Sequence, residues 1–462
     1  MQHSIVWLRR DLRLDDNTAL LHAIKASQFV SLIFIFDKHI LDRLPADDRR
    51  LSFIYESLTY LQNKLKAHGA PTVHILYGEP EVVIPQLFSE NKTDALFFNH
   101  DYEPYANARD TAITEVLTQK GILVHSFKDQ VIFEKSEIVK DDGTPYKVFT
   151  AYKNRWLNTY THSYPNAITD NTSISWKKFS PLISSLPLIH SLQEIGFVKR
   201  ENIIHGGSDA AQKQWTQFTG DYLEKYDTQR DLPGLNATSH LAPHLRFGTI
   251  SVRQLIDFLS KHEAPAAKVF LSELIWREFF MMILWHFPHV IIRSFQAQFD
   301  RIVWPNREDW FEAWKSGYTG YPIVDAGIRE LNATGYMHNR VRMIVASFLV
   351  KHLHVDWRKG EAYFAEKLLD YELSSNNGNW QWAAGTGVDA APYFRIFNPL
   401  TQGKKFDPDA VYIRRWVPKL ENVSLREIHD PDKRQNGLFS HYPHPIIDLD
   451  QERQTCLALY KV

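Results

Sequence analysis

Apolar residues in the first third of the chain come in short runs with little polar alternation: SIVWL at 4–8, VSLIFIF at 30–36, TVHILY at 72–77, ALFFN at 95–99 and ILVHS at 122–126. Between these runs, over 16–26, 51–67, 81–88 and 106–120, apolar positions return every three or four residues. Strand-length apolar runs alternating with amphipathic helices predict βαβ units and a parallel sheet. A sheet covered on both faces has no reason to alternate polar residues, which accounts for the runs. Such sheets take ligands at the C-terminal ends of their strands. The loops WLRRDLRLDDN (7–17) and NHDYEPYANARD (99–110) fall at those ends. No GxGxxG or GxxxxGK[ST] pattern is present, so an ordinary dinucleotide or P-loop domain is excluded.

From about 129 the pattern breaks up, with turn signals at DDGTPY (141–146) and SSLPLIHS (184–191) and one helical stretch over 149–160. A connector of this length fits between domains better than within one. Beyond about 206 strand signals nearly vanish, and helical spacing returns at 210–226, 251–261, 268–286, 323–333, 338–352 and 360–369. The expected organisation is an α/β doubly wound parallel sheet domain over 1–128, a connector over 129–200 and an all-α domain over 201–462.

The formal charge of the 462 residues is -1, so a polyanionic partner would need a local basic patch. The one cysteine, Cys456, cannot form an internal disulfide, and no CxxC zinc spacing exists. A reducing, cytoplasmic setting is expected. No apolar run reaches membrane-spanning length, and the N-terminus lacks a signal peptide's apolar stretch. Aromatic content is high, with 13 Trp, 20 Tyr and 28 Phe.

Candidate chemistry gathers in a few stretches. SSNNGNWQW at 374–382 combines residues suited to a turn, with Asn376 or Asn377 capping a helix, or to holding something flat and polar. Glu372 and Asp370 lie just upstream, and HNRVRM (338–343) supplies arginines. Such charges make either a structural ion pair or a set of charge-assisted bonds to a polar heterocycle. In ELIWR (273–277), Glu273 and Trp276 share one helix face, so one could hydrogen-bond a base while the other packs on it. Thr238 and Ser239 precede a helix, as N-caps or beside a phosphate.

Taken together, WLRRDLRLDDN, LSELIWREFF, GYPIVDAGIREL, GYMHNRVRMIVASFLVK, DWRKGEAYFAEKLLDYE and SSNNGNWQWAAGTGVDAAPYFRIFNP resemble the photolyase/cryptochrome family, and within it the cyclobutane pyrimidine dimer photolyases. The resemblance runs from residue 5 to about 418. It implies that the helical domain binds FAD in a U shape. Tyr226, Thr238, Ser239 and Leu241 would lie on its phosphate and ribityl side. Ala242 stands where many members have a serine, which removes one hydroxyl contact. Arg342 and Asp370 match the pair bracketing the flavin ring, with Glu372 beside it where many relatives have Asp. Asn376 matches the residue facing flavin N5, and Trp380, Trp357 and Trp304 match the electron-transfer chain.

On the substrate side, the resemblance implies that Glu273 hydrogen-bonds the dimer, that Trp276 and Trp382 pack on its rings, and that Asn339 contacts dimer or flavin. The His338–Asn339 pair favours cyclobutane dimers, since members repairing (6-4) photoproducts typically carry two histidines there. Arg340, Arg395, Lys404 and Lys405 are candidate phosphate contacts. The implied activity is that of a carbon–carbon lyase: light-driven electron transfer from reduced FAD to a dimer flipped out of DNA. Neither a metal nor a membrane is implied, and a monomer is expected. A second, antenna chromophore, folate or deazaflavin, is possible in the α/β domain. Asn107 stands where folate-binding members have Glu, which counts against folate. The rival expectation is a cryptochrome-type photoreceptor, against which stand Asn376 and the Glu273–Trp276 pair.

Overall fold

Among the described residues, five strands within the first 127 positions pair in parallel in the order β3-β2-β1-β4-β5. They are β1 (His3–Leu8), β2 (Phe29–Asp37), β3 (His74–Gly78), β4 (Ala95–Asn99) and β5 (Leu123–Phe127). The longer helices between them are α1 (Thr18–Ala26), α2 (Arg49–Ala67), α3 (Pro80–Glu90) and α4 (Pro104–Gln119). Asn17 caps α1 through its side chain, and proline opens α3 and α4 where no N–H is needed. Strand order reverses beside β1, which pairs with β2 on one side (His3↔Phe29) and β4 on the other (Ser4↔Ala95). The helices α3 and α4 cover one face, where Val83, Ile84, Leu87, Ile113 and Leu117 bury Ile5, Trp7, Ile33, Ile35, Leu96 and Phe98. The runs of β1, β2 and β4 are thus strands buried on both faces, whereas the edge strand β5 is partly exposed.

The computed structural model describes residues 1–163, 174–430 and 442–462; residues 164–173 of the expected connector lie outside it. The remaining longer helices are α5 (Phe149–Ser163), α6 (Ser208–Gln217), α7 (Val252–Lys261), α8 (Pro265–His286), α9 (Glu308–Ser316), α10 (Pro322–Thr334), α11 (Asn339–Lys351), α12 (Trp357–Lys367), α13 (Leu373–Ala384), α14 (Pro399–Phe406) and α15 (Leu449–Leu459). The helix expected over 210–226 is broken. α6 stops at Gln217, and a π turn and a 3-10 turn carry the chain to Tyr226.

Two compact units emerge. The first comprises Met1–Tyr146, Thr150–Asp221 and Ser239–Trp285; the second comprises Lys147–Phe149, Tyr222–Thr238 and His286–Val462. The expected boundaries near 128 and 200 both fall inside the first unit, which also takes in α7 and nearly all of α8. The core of the second unit brings together Trp314, Val341, Val345, Phe348, Leu349, Trp357, Phe364 and Trp380. No helix among the described residues is long and apolar enough to cross a membrane.

Candidate active site

In the second unit, α11 and the segment before α13 present an arginine and an aspartate to each other. Arg342 Nη2 donates to Asp370 Oδ2 at 2.8 Å, and its Nε donates to the Met337 carbonyl at 2.7 Å. Burial pulls the guanidinium's pKa down while Asp370 pulls it up; the net direction is upward, so Arg342 stays a cation. The other carboxylate oxygen, Asp370 Oδ1, is buried and has no hydrogen-bond partner among the described residues. A buried acceptor left over beside a fixed cation fits a heterocycle that offers an N–H next to carbonyl oxygens, as an isoalloxazine does.

α13 begins at Leu373, and its N-cap is Glu372. Asn376 and Asn377 therefore do not cap the helix; they lie inside it, and their side chains have other partners. Asn376 Nδ2 donates to the Glu361 side chain at 2.8 Å and to the Glu361 carbonyl at 3.1 Å. Asn377 and Gln381, one turn apart, both donate to the Val290 carbonyl. The asparagine pair thus divides its work, one toward α12 and the other toward the segment before α9. Glu372 accepts from Ser374 Oγ at 2.6 Å. Glu361 was not singled out in the sequence. Burial raises its pKa against the lowering effect of the Asn376 bond. The signal that could have found it is Gly360 in the middle of a helix, which usually marks a packing or functional reason. Here the reason is Trp380: a Cβ on Gly360 would lie 2.2 Å from Trp380 Cη2.

Trp380 and Trp357 are both buried members of the second unit's core, and the half-buried Trp304 packs against it. Trp380 meets Phe364 edge-on at 4.9 Å and Trp314 at 6.3 Å. Trp357 opens α12, and its buried Nε1 has no partner among the described residues. Trp304 stands edge-on to Tyr460 at 5.9 Å. Also in this unit, Tyr226 is buried at the end of the broken helix, and Thr238 Oγ1 lies 3.3 Å from Tyr336 Oη.

The candidate nucleic-acid residues of this unit differ in availability. Asn339, Arg395, Lys404 and Lys405 are exposed, and Trp382 is half-buried. Arg340 is already engaged: it forks onto Asp231 at 2.8 and 3.2 Å and lies 4.3 Å over the Phe406 ring. The buried Lys351 escaped sequence reasoning. Its Nζ donates to the carbonyls of Ala384 (2.6 Å) and Tyr393 (3.2 Å), tying the end of α13 to the loop that carries Arg395. Burial pushes its pKa down to about 7.

The first unit carries Glu273, Trp276, Ser239 and Leu241. Glu273 and Trp276 are half-buried on α8, and Trp276 packs against Phe279 and Phe280 at 5.6 and 5.3 Å. Thr238 and Ser239 are not N-caps. The helix that follows them, Ala242–Arg246, has Leu241 as its N-cap, and Ser239 Oγ instead accepts from the Leu241 N–H at 3.4 Å. Two residues beyond Trp276, Glu278 is fully buried and serves the fold. It accepts from the N–H groups of Ile132 and Phe133, from Tyr152 Oη and from Trp156 Nε1 at 2.6–3.2 Å. Burial raises its pKa to about 7.

At the sheet's switch point, Arg9 reaches from the end of β1 to the Asn99 carbonyl at the end of β4, and Arg10 pairs with Asp101 and Glu103.

Two family models match the chain: one described as DNA photolyase over residues 4–169, and one as the FAD binding domain of DNA photolyase over 270–462. The chain is 38% identical to the deoxyribodipyrimidine photo-lyase of Escherichia coli, over 100% of its length and 99% of the relative's. The chain belongs to the DNA photolyase family. Another photolyase relative, from Agrobacterium fabrum, is 39% identical over 99% of this chain and 97% of its own. Among solved structures, a bacterial class III photolyase from Agrobacterium tumefaciens superposes with a TM-score of 0.90 at 36% identity, covering 100% and 97% of the two chains. An archaeal photolyase from Sulfolobus tokodaii, solved with two FAD molecules, gives 0.85 at 36% identity, with both chains fully covered. A cryptochrome from Synechocystis sp. gives 0.87 at 25% identity, with 99% of each chain covered. Family membership places the Arg342–Asp370 pair, Glu361 and Asn376 inside the region matching the FAD-binding model.

Proposed function

We propose that this chain is a deoxyribodipyrimidine photo-lyase, splitting cyclobutane pyrimidine dimers in DNA under light. The observation that carries the reading is the Arg342–Asp370 pair with one buried carboxylate oxygen to spare, within the FAD-binding match. When bound, reduced FAD supplies the light absorption and the electron that opens the cyclobutane ring. Arg342 and Asp370 hold the ring system through complementary charge-assisted bonds. Tyr226, Thr238, Ser239, Leu241 and Glu372 bind the rest of the cofactor. Glu361 occupies the Asn376 amide NH2, which leaves Oδ1 as the end free to accept an N–H. A reduced flavin carries that hydrogen at N5 and an oxidised one does not, so this orientation favours the reduced form. Trp380, Trp357 and Trp304 would provide a path for electrons toward a bound flavin.

Photolyases are among the enzymes known to act on bases taken out of the stack, and damage lowers the cost of extrusion. Glu273 hydrogen-bonds the extruded dimer, Trp276 and Trp382 pack on its rings, and Asn339 contacts its edge. The exposed Arg395, Lys404 and Lys405 meet backbone phosphates, as does Arg340 once it exchanges Asp231 for phosphate; such contacts make binding salt-dependent. We assign residues 1–128 to an antenna domain able to take a folate or deazaflavin, 129–200 to a connector and 201–462 to the catalytic domain. The enzyme acts as a cytoplasmic monomer without a metal ion. The test is an oligonucleotide carrying one thymine dimer, incubated with the reduced protein in light and in darkness. Repair in light alone is the expected result; binding without repair in either condition would favour a photoreceptor instead.

A further inference from the structure

We propose that Asn306 is a positioning residue that fixes Trp304 relative to Trp357; the proposal rests on the reading of these indoles as an electron relay. Three features of the chain converge on this residue. Trp304 is followed by Pro305, which restricts its backbone to extended conformations. Asn306 then turns sharply, with φ of 49°, in the left-handed region that asparagine tolerates better than most residues. From that turn it makes two bonds to one short segment of the chain. Its N–H donates to the His354 carbonyl at 3.3 Å, and its Oδ1 accepts from the Asp356 N–H at 2.8 Å. Asp356 is the N-cap of α12, and Trp357 is that helix's first residue.

The clasp is made on both sides by constrained backbone. His354 is itself left-handed, with φ of 50°, and its ring is held by the Glu452 side chain and carbonyl at 3.4 and 3.2 Å. Asp356 caps α12 by accepting from the Arg358 N–H at 2.9 Å. Trp357 therefore stands on a fixed helix start. Trp304 stands two residues from Asn306, whose side chain accepts from the Asp356 N–H at this start, and its ring rests on Tyr460. Without Oδ1, the 302–306 segment would keep one backbone bond to this region and could shift along it.

Consider one electron passing from Trp304 to an oxidised Trp357. The Trp357 ring is restored, the vacancy moves to Trp304, and an external thiol reductant refills it. A step of this kind slows as the gap between the two rings widens. The experiment compares three variants in the FAD-loaded protein by flash photolysis, following the absorption of the oxidised tryptophan. Asn306→Gly keeps the left-handed turn at no steric cost and removes only the acceptor. It should slow arrival of the vacancy at Trp304 severalfold, with flavin content, melting temperature and dimer repair by the chemically reduced protein close to wild type. Asn306→Asp retains an acceptor and should restore the wild-type rate. Trp304→Phe should abolish the late signal altogether. Wild-type rates in Asn306→Gly beside a lost signal in Trp304→Phe would overturn the positioning role and leave the relay standing. An unchanged signal in Trp304→Phe would overturn the relay and this proposal together.

Discussion

Gly360→Ala should be destabilising, although most glycine-to-alanine changes inside helices stabilise. Residue 360 lies in α12, where alanine is favoured over glycine by about 1 kcal/mol. Against that gain, the new methyl would lie 2.2 Å from Trp380 Cη2, 2.4 Å from Cζ3 and 2.6 Å from Leu349 Cδ2. Trp380 is 2% exposed and Leu349 0%, so neither can move into solvent. Overpacking typically costs about 1–3 kcal/mol. Three contacts below 3 Å against an enclosed ring place this site at the upper end, about 3 kcal/mol, for a net loss of about 2 kcal/mol. Urea unfolding followed by far-ultraviolet circular dichroism would read the loss as a lower midpoint at unchanged slope. Because the indole must shift, photoreduction of oxidised flavin should slow as well. A variant more stable than wild type by about 1 kcal/mol would show that propensity alone governs the site and that the close packing of Gly360 on Trp380 is wrong.

Other expectations follow from the same geometry. Trp380→Phe should abolish most photoreduction of oxidised flavin while sparing repair by protein reduced chemically, which steady illumination with and without dithionite would separate. Glu273→Ala should lower the quantum yield of repair; an unaltered yield would remove Glu273 from the chemistry. Glu278 binds its proton more tightly in the folded state, at about 7 against an ordinary 4.5. Between those values the folded chain holds more protons than the unfolded chain, so its contribution to stability is present below about pH 4.5 and is lost as pH rises toward about 7. The unfolding free energy of wild type should fall between about pH 4.5 and 7 relative to that of Glu278→Gln, which cannot titrate there; parallel curves would contradict the assignment. Removing Lys404 or Lys405 should weaken DNA binding evenly across sequences and lower the salt slope by about one each.

The α/β half was legible because β1, β2 and β4 are buried on both faces, so apolar runs and helical periodicity alternate without ambiguity; 95–99 forms the strand its run predicts. The half richer in helices was less so. α13 has aromatic and polar residues around its whole circumference, so no stripe announces a helix, and its asparagines read as a cap. The broken stretch from 217 to 226 keeps helical spacing while its hydrogen bonds change register, which spacing cannot reveal. Arg342 and Asp370 were found through family resemblance, and the structure adds what sequence could not, namely which oxygen of Asp370 is left over. Glu361, Lys351 and Asn306 were missed because each acts on another residue through space. Division into units also follows three-dimensional packing: α8 is helical like its neighbours in sequence, yet it joins the unit that contains the sheet.

The most direct test of the central claim, that the Arg342–Asp370 pair cradles a flavin, is the FAD released on denaturing the purified protein and its Asp370→Ala variant. The account predicts stoichiometric FAD from the wild type and little from a variant that remains folded. No flavin from the wild type, or equal amounts from both, would contradict it.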